Sequence, residues 1–378
     1  MRHWKYTKVV EKSGKLWFGI GEKNSVMQKI DYIIVGQGLA GTLLGHLLEE
    51  AGKQVIFIDQ NHQGAASCVA AGIINPITGR RYVKSWKIDE LFPVATTTYR
   101  QIEEQLNVSF FHATSVLRTL FNHRELHDWE ERQLSDSYQK YMPEDVDIGD
   151  YEKHTVPAYA YGEVRPAAQV EVEKLVKAYR QFWQKKGQIH GEIFDFDQLQ
   201  LTDNQVEYKD ITATVLIFCE GAAAKQNPYF NYLPFKGNKG EALIVRIPEV
   251  NFQKLLKQRI FIVPLSEKDT YWIGATNEHQ HENDAPSAAG KTYILDRLRD
   301  VLTVPFEVIE HKAAIRPTVR DRRPFLGQHP EFKRLAIFNG LGTKGASLAP
   351  YFAHQMQQLL LNNTSPSTEV DIQRFNRT

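Results

Sequence analysis

Gly36, Gly38 and Gly41 stand at the spacing G-x-G-x-x-G, and Asp59 follows 18 positions beyond the last of them. These residue types at this spacing suit the binding of a dinucleotide. The first glycine allows a tight turn, the second lets backbone approach a pyrophosphate, and the third lets a helix pack closely on a strand. Free N–H groups and a partial positive charge at the helix start favour phosphate. An acid at the distance of Asp59 can accept hydrogen bonds from the ribose hydroxyls of an adenine nucleotide. A second run, NEHQHEND, places Glu278, His279, His281, Glu282 and Asp284 close together. Without distant partners it reads as a solvated loop, and no metal is expected there.

Those residues need elements to position them. Tyr32 to Val35 is an apolar run directly before Gly36, a helical stretch follows, and residues 30–59 read as one βαβ unit. Val172, Leu175, Val176, Tyr179, Phe182 and Trp183 recur at helical spacing and predict one amphipathic helix ending before Gly187, its aromatics packing the core. VLIFCEG (215–221) reads as a buried parallel strand entering a ligand turn. LAIFNGLGTKG (335–345) reads as a strand running into a glycine turn, followed by a helix begun by Pro350. Between them lie β-rich stretches such as RIFIVPL and YWIGATNE. Nucleotide-type α/β segments interrupted twice by β-rich ones predict two intertwined domains.

Bulk properties exclude several function classes. The 378 residues are 42% apolar and 24% charged, with a formal net charge of +1, which is ordinary for a globular chain. Such a charge exerts no general pull on nucleic acid or membrane. No apolar stretch is long enough to span a bilayer. Cys68 and Cys219 cannot form a disulfide framework and read as reduced thiols of a cytoplasmic protein. Residues 1–26 lack the apolar core of a signal peptide, and Met27 would be a natural start. Residues 1–28 are therefore expected to be an extension or an upstream start.

The later glycine turns at Gly221, at Gly237 and Gly240, and at Gly340, Gly342 and Gly345 suggest a large, extended cofactor touched by distant segments. Here the chain resembles the D-amino-acid oxidase family of FAD enzymes, in its glycine oxidase and sarcosine oxidase branch. The resemblance is carried by GQGLAGTLLG (36–45), Asp59, SCVAAG (67–72), VLIFCEG, AAIRPTVRDRRPFLG (313–327) and NGLGTKGASLAP (339–350). The run IRPTVRDRRPFLG with GLGTKG is also similar to the FAD oxidase half of the bifunctional enzyme that matures wobble uridine in tRNA. The fold implied is α/β: a Rossmann-like GR2-type FAD-binding domain intertwined with a mixed β-sheet substrate domain. The expected FAD-binding domain comprises 29–90, 165–232 and 312–378, and the substrate domain 91–164 and 233–311.

The resemblance assigns Gly36, Gly38, Leu39, Ala40 and Gly41 to the pyrophosphate and Asp59, with Gln60 beside it, to the ribose. Ser67 and Cys68 would lie along the phosphates, Ala70, Ala71 and Gly72 close to the isoalloxazine, Phe196 at the adenine, and Gly221 in the turn after its strand. Gly340, Gly342, Thr343, Lys344 and Gly345 would precede a helix whose dipole stabilises the reduced flavin. FAD is expected to be non-covalent, Cys68 notwithstanding. The implied reaction is oxidation of a C–N bond, with hydride passing to flavin N5.

Arg316 falls where glycine-oxidase-like enzymes grip the substrate carboxylate, and a guanidinium fork matches a carboxylate bidentately. Phe261 replaces a frequent tyrosine and Thr343 a second arginine, so a simple glycine or sarcosine substrate does not follow. Basic residues gather in loops expected on the substrate side: Arg80, Arg81, Lys84, Lys236, Lys239, Arg316, Arg320, Arg322, Arg323 and Lys344. Either this is ordinary loop polarity, or it lines a mouth for a small anionic amine or amino acid. Two further readings stay open: oxidation of an aminoacyl-type modification on tRNA, and a flavin-binding protein without catalysis. A near-neutral charge argues against nucleic acid.

Overall fold

A computed structural model describes residues 7–10, 16–19 and 27–375. Most of the expected extension, 1–28, lies outside them. The chain opens its α/β part with strand β1 (Gln28–Val35), helix α1 (Leu39–Glu50) and strand β2 (Val55–Ile58). Helix α2 (Ile88–Leu106) leads to the long strands β3 (Phe111–Leu120) and β4 (Ala160–Val170). Helix α3 (Val172–Lys185) and strand β5 (Ile211–Phe218) return to the nucleotide-type layer. Five strands follow: β6 (Asn238–Arg246), β7 (Leu255–Lys257), β8 (Phe261–Pro264), β9 (Thr270–Gly274) and β10 (Glu307–Arg316). Strands β11 (Phe325–Gln328) and β12 (Leu335–Asn339) and helix α4 (Gly345–Asn362) end the fold.

Two eight-stranded sheets carry the molecule. In the first, β2, β1 and β5 run parallel side by side, and β12 joins β5 in parallel. Parallel strands covered on both faces must be apolar throughout, and Ile33, Ile34, Phe57, Leu216 and Ile217 are all buried. The same edge of β5 holds two neighbours: its first half pairs antiparallel with Val206–Tyr208, its last three residues with β12. The second sheet runs β10-β6-β9-β8-β7-β3-β4 and ends on Ile73–Ile74. Its pairs are antiparallel except β7 with β3.

The α3 stripe behaves as its spacing requires: Val172, Leu175, Val176, Tyr179 and Trp183 are buried, while Phe182 is half-buried. One expectation is corrected. Helix α4 starts at Gly345, so Pro350 lies inside it rather than opening it. Pro350 has no N–H to return to the carbonyl one turn back. Tyr99 Oη donates to that carbonyl, Ala346 O, at 2.8 Å, and so satisfies the group proline leaves open.

Candidate active site

A cleft of about 950 Å³ runs between the carboxyl ends of the parallel strands and one face of the second sheet. At one end lies the glycine turn. Gly36 has φ +97°, and a Cβ there would sit 2.5 Å from Cys219 O, so only glycine fits. A Cβ on Gly41 would collide with Gly36 O, which explains the close approach of α1 to β1. Gly38 caps α1 without any side-chain hydrogen bond, and Leu39 N–H donates to Ser67 Oγ at 2.9 Å. The helix start therefore faces the cleft with only small groups in front of it.

Asp59, at the end of β2, is held by three donors. Its Oδ2 accepts from Gln37 N–H (2.8 Å), and its Oδ1 from Asn61 N–H (2.7 Å) and Arg180 Nη1 (2.6 Å). Arg180 Nη2 also reaches Asp59 O at 3.1 Å. Beside Gly36, Glu220 accepts from Asn227 Nδ2 (2.7 Å), and burial pushes its carboxyl up to about 7. At neutral pH the carboxyl is only partly charged, which lowers its repulsion of a phosphate group.

The cleft brings together most of the expected residues. Gly36, Gly38, Leu39, Ala40, Asp59, Gln60, Ser67, Cys68, Ala70, Ala71, Gly72, Phe196, Gly221, Phe261, Arg316, Gly342, Thr343 and Gly345 line it. Gly41 lies behind the lining, in the packing of α1. Gly340 (φ +76°) shapes the turn from beneath. Lys344 points away, its Nζ donating to Ser85 Oγ at 3.1 Å. Arg80 is exposed on the loop before Tyr82, outside the lining.

Of the ten basic residues expected at the mouth, only Arg316 reaches the wall. Lys239 points through the opposite face of the sheet, 3.3 Å from the buried carboxylate of Glu241. Lys84 pairs with Asp89 at 2.7 Å, and Arg323 stacks 3.9 Å over the Trp86 ring. The cations that join Arg316 in the lining are Arg180, Lys257 and Arg259. Sequence reading missed them. Arg180 offered a signal, standing four residues after Val176 on the buried stripe, where an uncompensated charge is not tolerated.

Arg316 ends β10 directly opposite Asn238 of β6. Its guanidinium lies flat over Gly240, where any Cβ would strike it. Nη1 donates to Asn238 Oδ1 at 2.8 Å, and both Nη atoms lie 3.4 Å from Thr276 O. These acceptors are neutral. Burial alone pulls the guanidinium below its usual range, and among the described residues no carboxylate pairs with it. A desolvated cation held by neutral acceptors in a cleft wall is suited to receive an anion. Phe261, Trp272 and Ala275 also line the cleft and are largely apolar, and Trp272 is fixed by donation from Nε1 to Val69 O at 2.9 Å.

Residues 31–359 match the DAO family, described as FAD dependent oxidoreductase. The chain belongs to that family. This FAD-dependent oxidoreductase is 21% identical to glycine oxidase of Bacillus subtilis, over 87% of this chain and 92% of the relative. Its fold is similar to that of glycine oxidase from Geobacillus kaustophilus, with a TM-score of 0.76, 21% identity, and coverage of 93% of this chain and 99% of the other. Iminodiacetate oxidase from Chelativorans sp. BNC1 is similar at a TM-score of 0.72 and 21% identity, covering 92% and 99%. The FAD-dependent oxidoreductase has, among its described residues, no helix long and apolar enough to cross a membrane. NEHQHEND forms no metal-type cluster there: Asp284 pairs with His62 at 2.6 Å, and His279 Nδ1 meets Asn238 Nδ2 at 3.1 Å.

Proposed function

We propose that the protein oxidises the C–N bond of a small amine that carries a carboxylate, an amino acid or a secondary amine. The observation that carries this reading is Arg316, a desolvated guanidinium aimed into the cleft and lacking a carboxylate partner among the described residues. In this reading the α1 start, with Gly36, Gly38, Leu39, Ala40 and Ser67, holds the pyrophosphate. Asp59 takes the ribose, and Ala70 to Gly72 leave room for the flavin ring. When bound, the flavin supplies the chemistry by accepting a hydride at N5. The chain's residues supply position and medium. Arg316 anchors the carboxylate, and Phe261, Trp272 and Ala275 surround the amine with low dielectric, which favours the neutral form with its free lone pair. The substrate loses two electrons and two protons, leaving an imine that water hydrolyses.

A division of labour between domains follows from the same reading. The parallel sheet would carry FAD and the antiparallel sheet the substrate, with the boundaries moved to strand ends because β4 and β10 cross those drawn at 164/165 and 311/312.

The test is anaerobic mixing of FAD-loaded protein with amino acids and N-alkyl amino acids. Bleaching by at least one of them is expected. R316M should lower kcat/KM about 100-fold or more, chiefly through KM, because a buried anion loses its partner. Absence of bleaching by any small amine, or bleaching only by modified tRNA, would overturn the reading.

A further inference from the structure

Strand register sets out a row of residues on the face of the second sheet that carries Arg316. Asn238, Gly240 and Ala242 share that face of β6, since side chains alternate along a strand. Ala242 pairs with Gly274 of β9, Gly274 with Phe261 of β8, Phe261 with Lys257 of β7, and Lys257 with Arg118 of β3. Each step is one neighbouring strand, so all these side chains leave the sheet on the same side. The row begins at Ala242, two residues along β6 from the guanidinium over Gly240, and ends at two cations standing side by side.

Among the described residues those two cations lack close acidic partners. Lys257 lines the cleft with its Nζ 4.6 Å from the centre of the Phe261 ring, and among the described residues it forms no ion pair or hydrogen bond. Arg118 lies with its Cζ 4.6 Å from the Tyr82 ring. Glu125, the carboxylate that acts on Arg118 from a distance, is engaged by Phe121 N–H at 3.0 Å. Two like charges on paired residues of adjacent strands repel, and an arrangement of that kind is relieved by an anion between or before them. Arg259, also in the lining, differs: it is exposed and sits 3.6 Å from Asp300.

We propose that Lys257, backed by Arg118, forms a second anion subsite, so that the substrate carries a carboxylate or other anion at each end. This rests on the amine-oxidising reading of the cleft for what happens at the Arg316 end. Lys257 stands three strand spacings, about 14 Å, across the sheet from β6 and two residues, about 7 Å, along it from Gly240, so its Cα is about 16 Å from the strand position under the guanidinium. Lean of the lysine over Phe261 brings its charge nearer. An amino acid with an anionic side chain or N-substituent fits this span, and glycine itself reaches only one end.

FAD-loaded protein titrated with non-oxidisable acids tests the subsite without turnover. The probes are succinate, glutarate, adipate and pimelate, each against the monocarboxylate of the same chain length. Binding heat and the flavin absorbance shift are both read. At least one diacid should bind about 10-fold or more tighter than its monoacid. That ratio should fall to near one in K257M and survive in K257R. R118Q, a second variant should K257M fail to fold, should reduce it as well. No diacid advantage, or an advantage that persists in K257M, would overturn the proposal. A diacid advantage combined with no bleaching by any small amine would sink the oxidising reading while leaving the subsite in place, whereas bleaching by monocarboxylate amino acids alone would overturn the two-anion substrate.

Discussion

Asp59 is aimed by Arg180, which grips the carboxylate and the backbone carbonyl of the same residue. Arg180 is also tied to Gln37 at 3.3 Å, and Gln37 to Val176 O at 3.0 Å, so helix α3 and the glycine turn are joined through one carboxylate. The side chains are 10% and 18% exposed, so the pair is well shielded from water. Removing one partner leaves the other charge buried and unpaired. Because Asp59 keeps two backbone donors, R180M should lower unfolding free energy by about 1–3 kcal/mol and raise the Kd for FAD about 10-fold or more. Urea unfolding and equilibrium dialysis measure both. Unchanged FAD affinity in R180M would show that Asp59 keeps its aim alone. The charge on Arg180 was legible in principle. Its partner was not, because 121 residues separate it from Asp59.

Helix α4 shows how far a local signal carries. Glycine turns were readable because positive φ at Gly36, Gly340 and Gly342 has a residue-level cause. The start of α4 was not, since Pro350 is a good first helical residue and only a tertiary contact makes it tolerable in the sixth position. Tyr99, from helix α2, supplies that contact. Y99F removes the donor and leaves a buried carbonyl open, at a cost of about 1–3 kcal/mol. Flavin content should remain near that of the parent. Urea midpoints compare the two proteins, and equal midpoints would show that the carbonyl finds another donor. The row of Lys257 and Arg118 was likewise hidden, because adjacency across strands depends on register.

For the whole molecule, anion recognition and stability oppose each other at the edge of the cleft. Burial, and then the Arg118 charge beside it, pushes the Lys257 ammonium down to about 8. Arg118 on β3, Arg259 on the following turn and the Phe261 ring on β8 surround it, and none is acidic. A lysine whose folded-state pKa is depressed destabilises the fold while it is charged. That penalty is complete below pH about 8 and fades as pH rises toward the ordinary lysine value. K257M should therefore raise Tm at pH 7, with the gain shrinking between pH 8 and 10.5. Calorimetric melts across that range decide it; a gain independent of pH would assign the effect to packing instead. The fold class was legible from periodicity and glycine spacing. The basic mouth was not, since Arg323, Lys84 and Lys239 turn toward Trp86, Asp89 and Glu241 and away from the cleft.

The divided edge of β5 bears on biosynthesis. Its lower half is filled by Val206–Tyr208, made almost immediately before it, while its upper half waits for β12, made more than a hundred residues later. That late strand delivers Asn339, Leu341, Gly342 and Thr343 to the cleft. A nascent chain halted before Leu335 already owns Gly36, Asp59 and Arg316 and still lacks one wall. The wall built from Asn339 to Thr343 is therefore the last part of the cleft to be synthesised, after its glycine turn, its acid and its guanidinium.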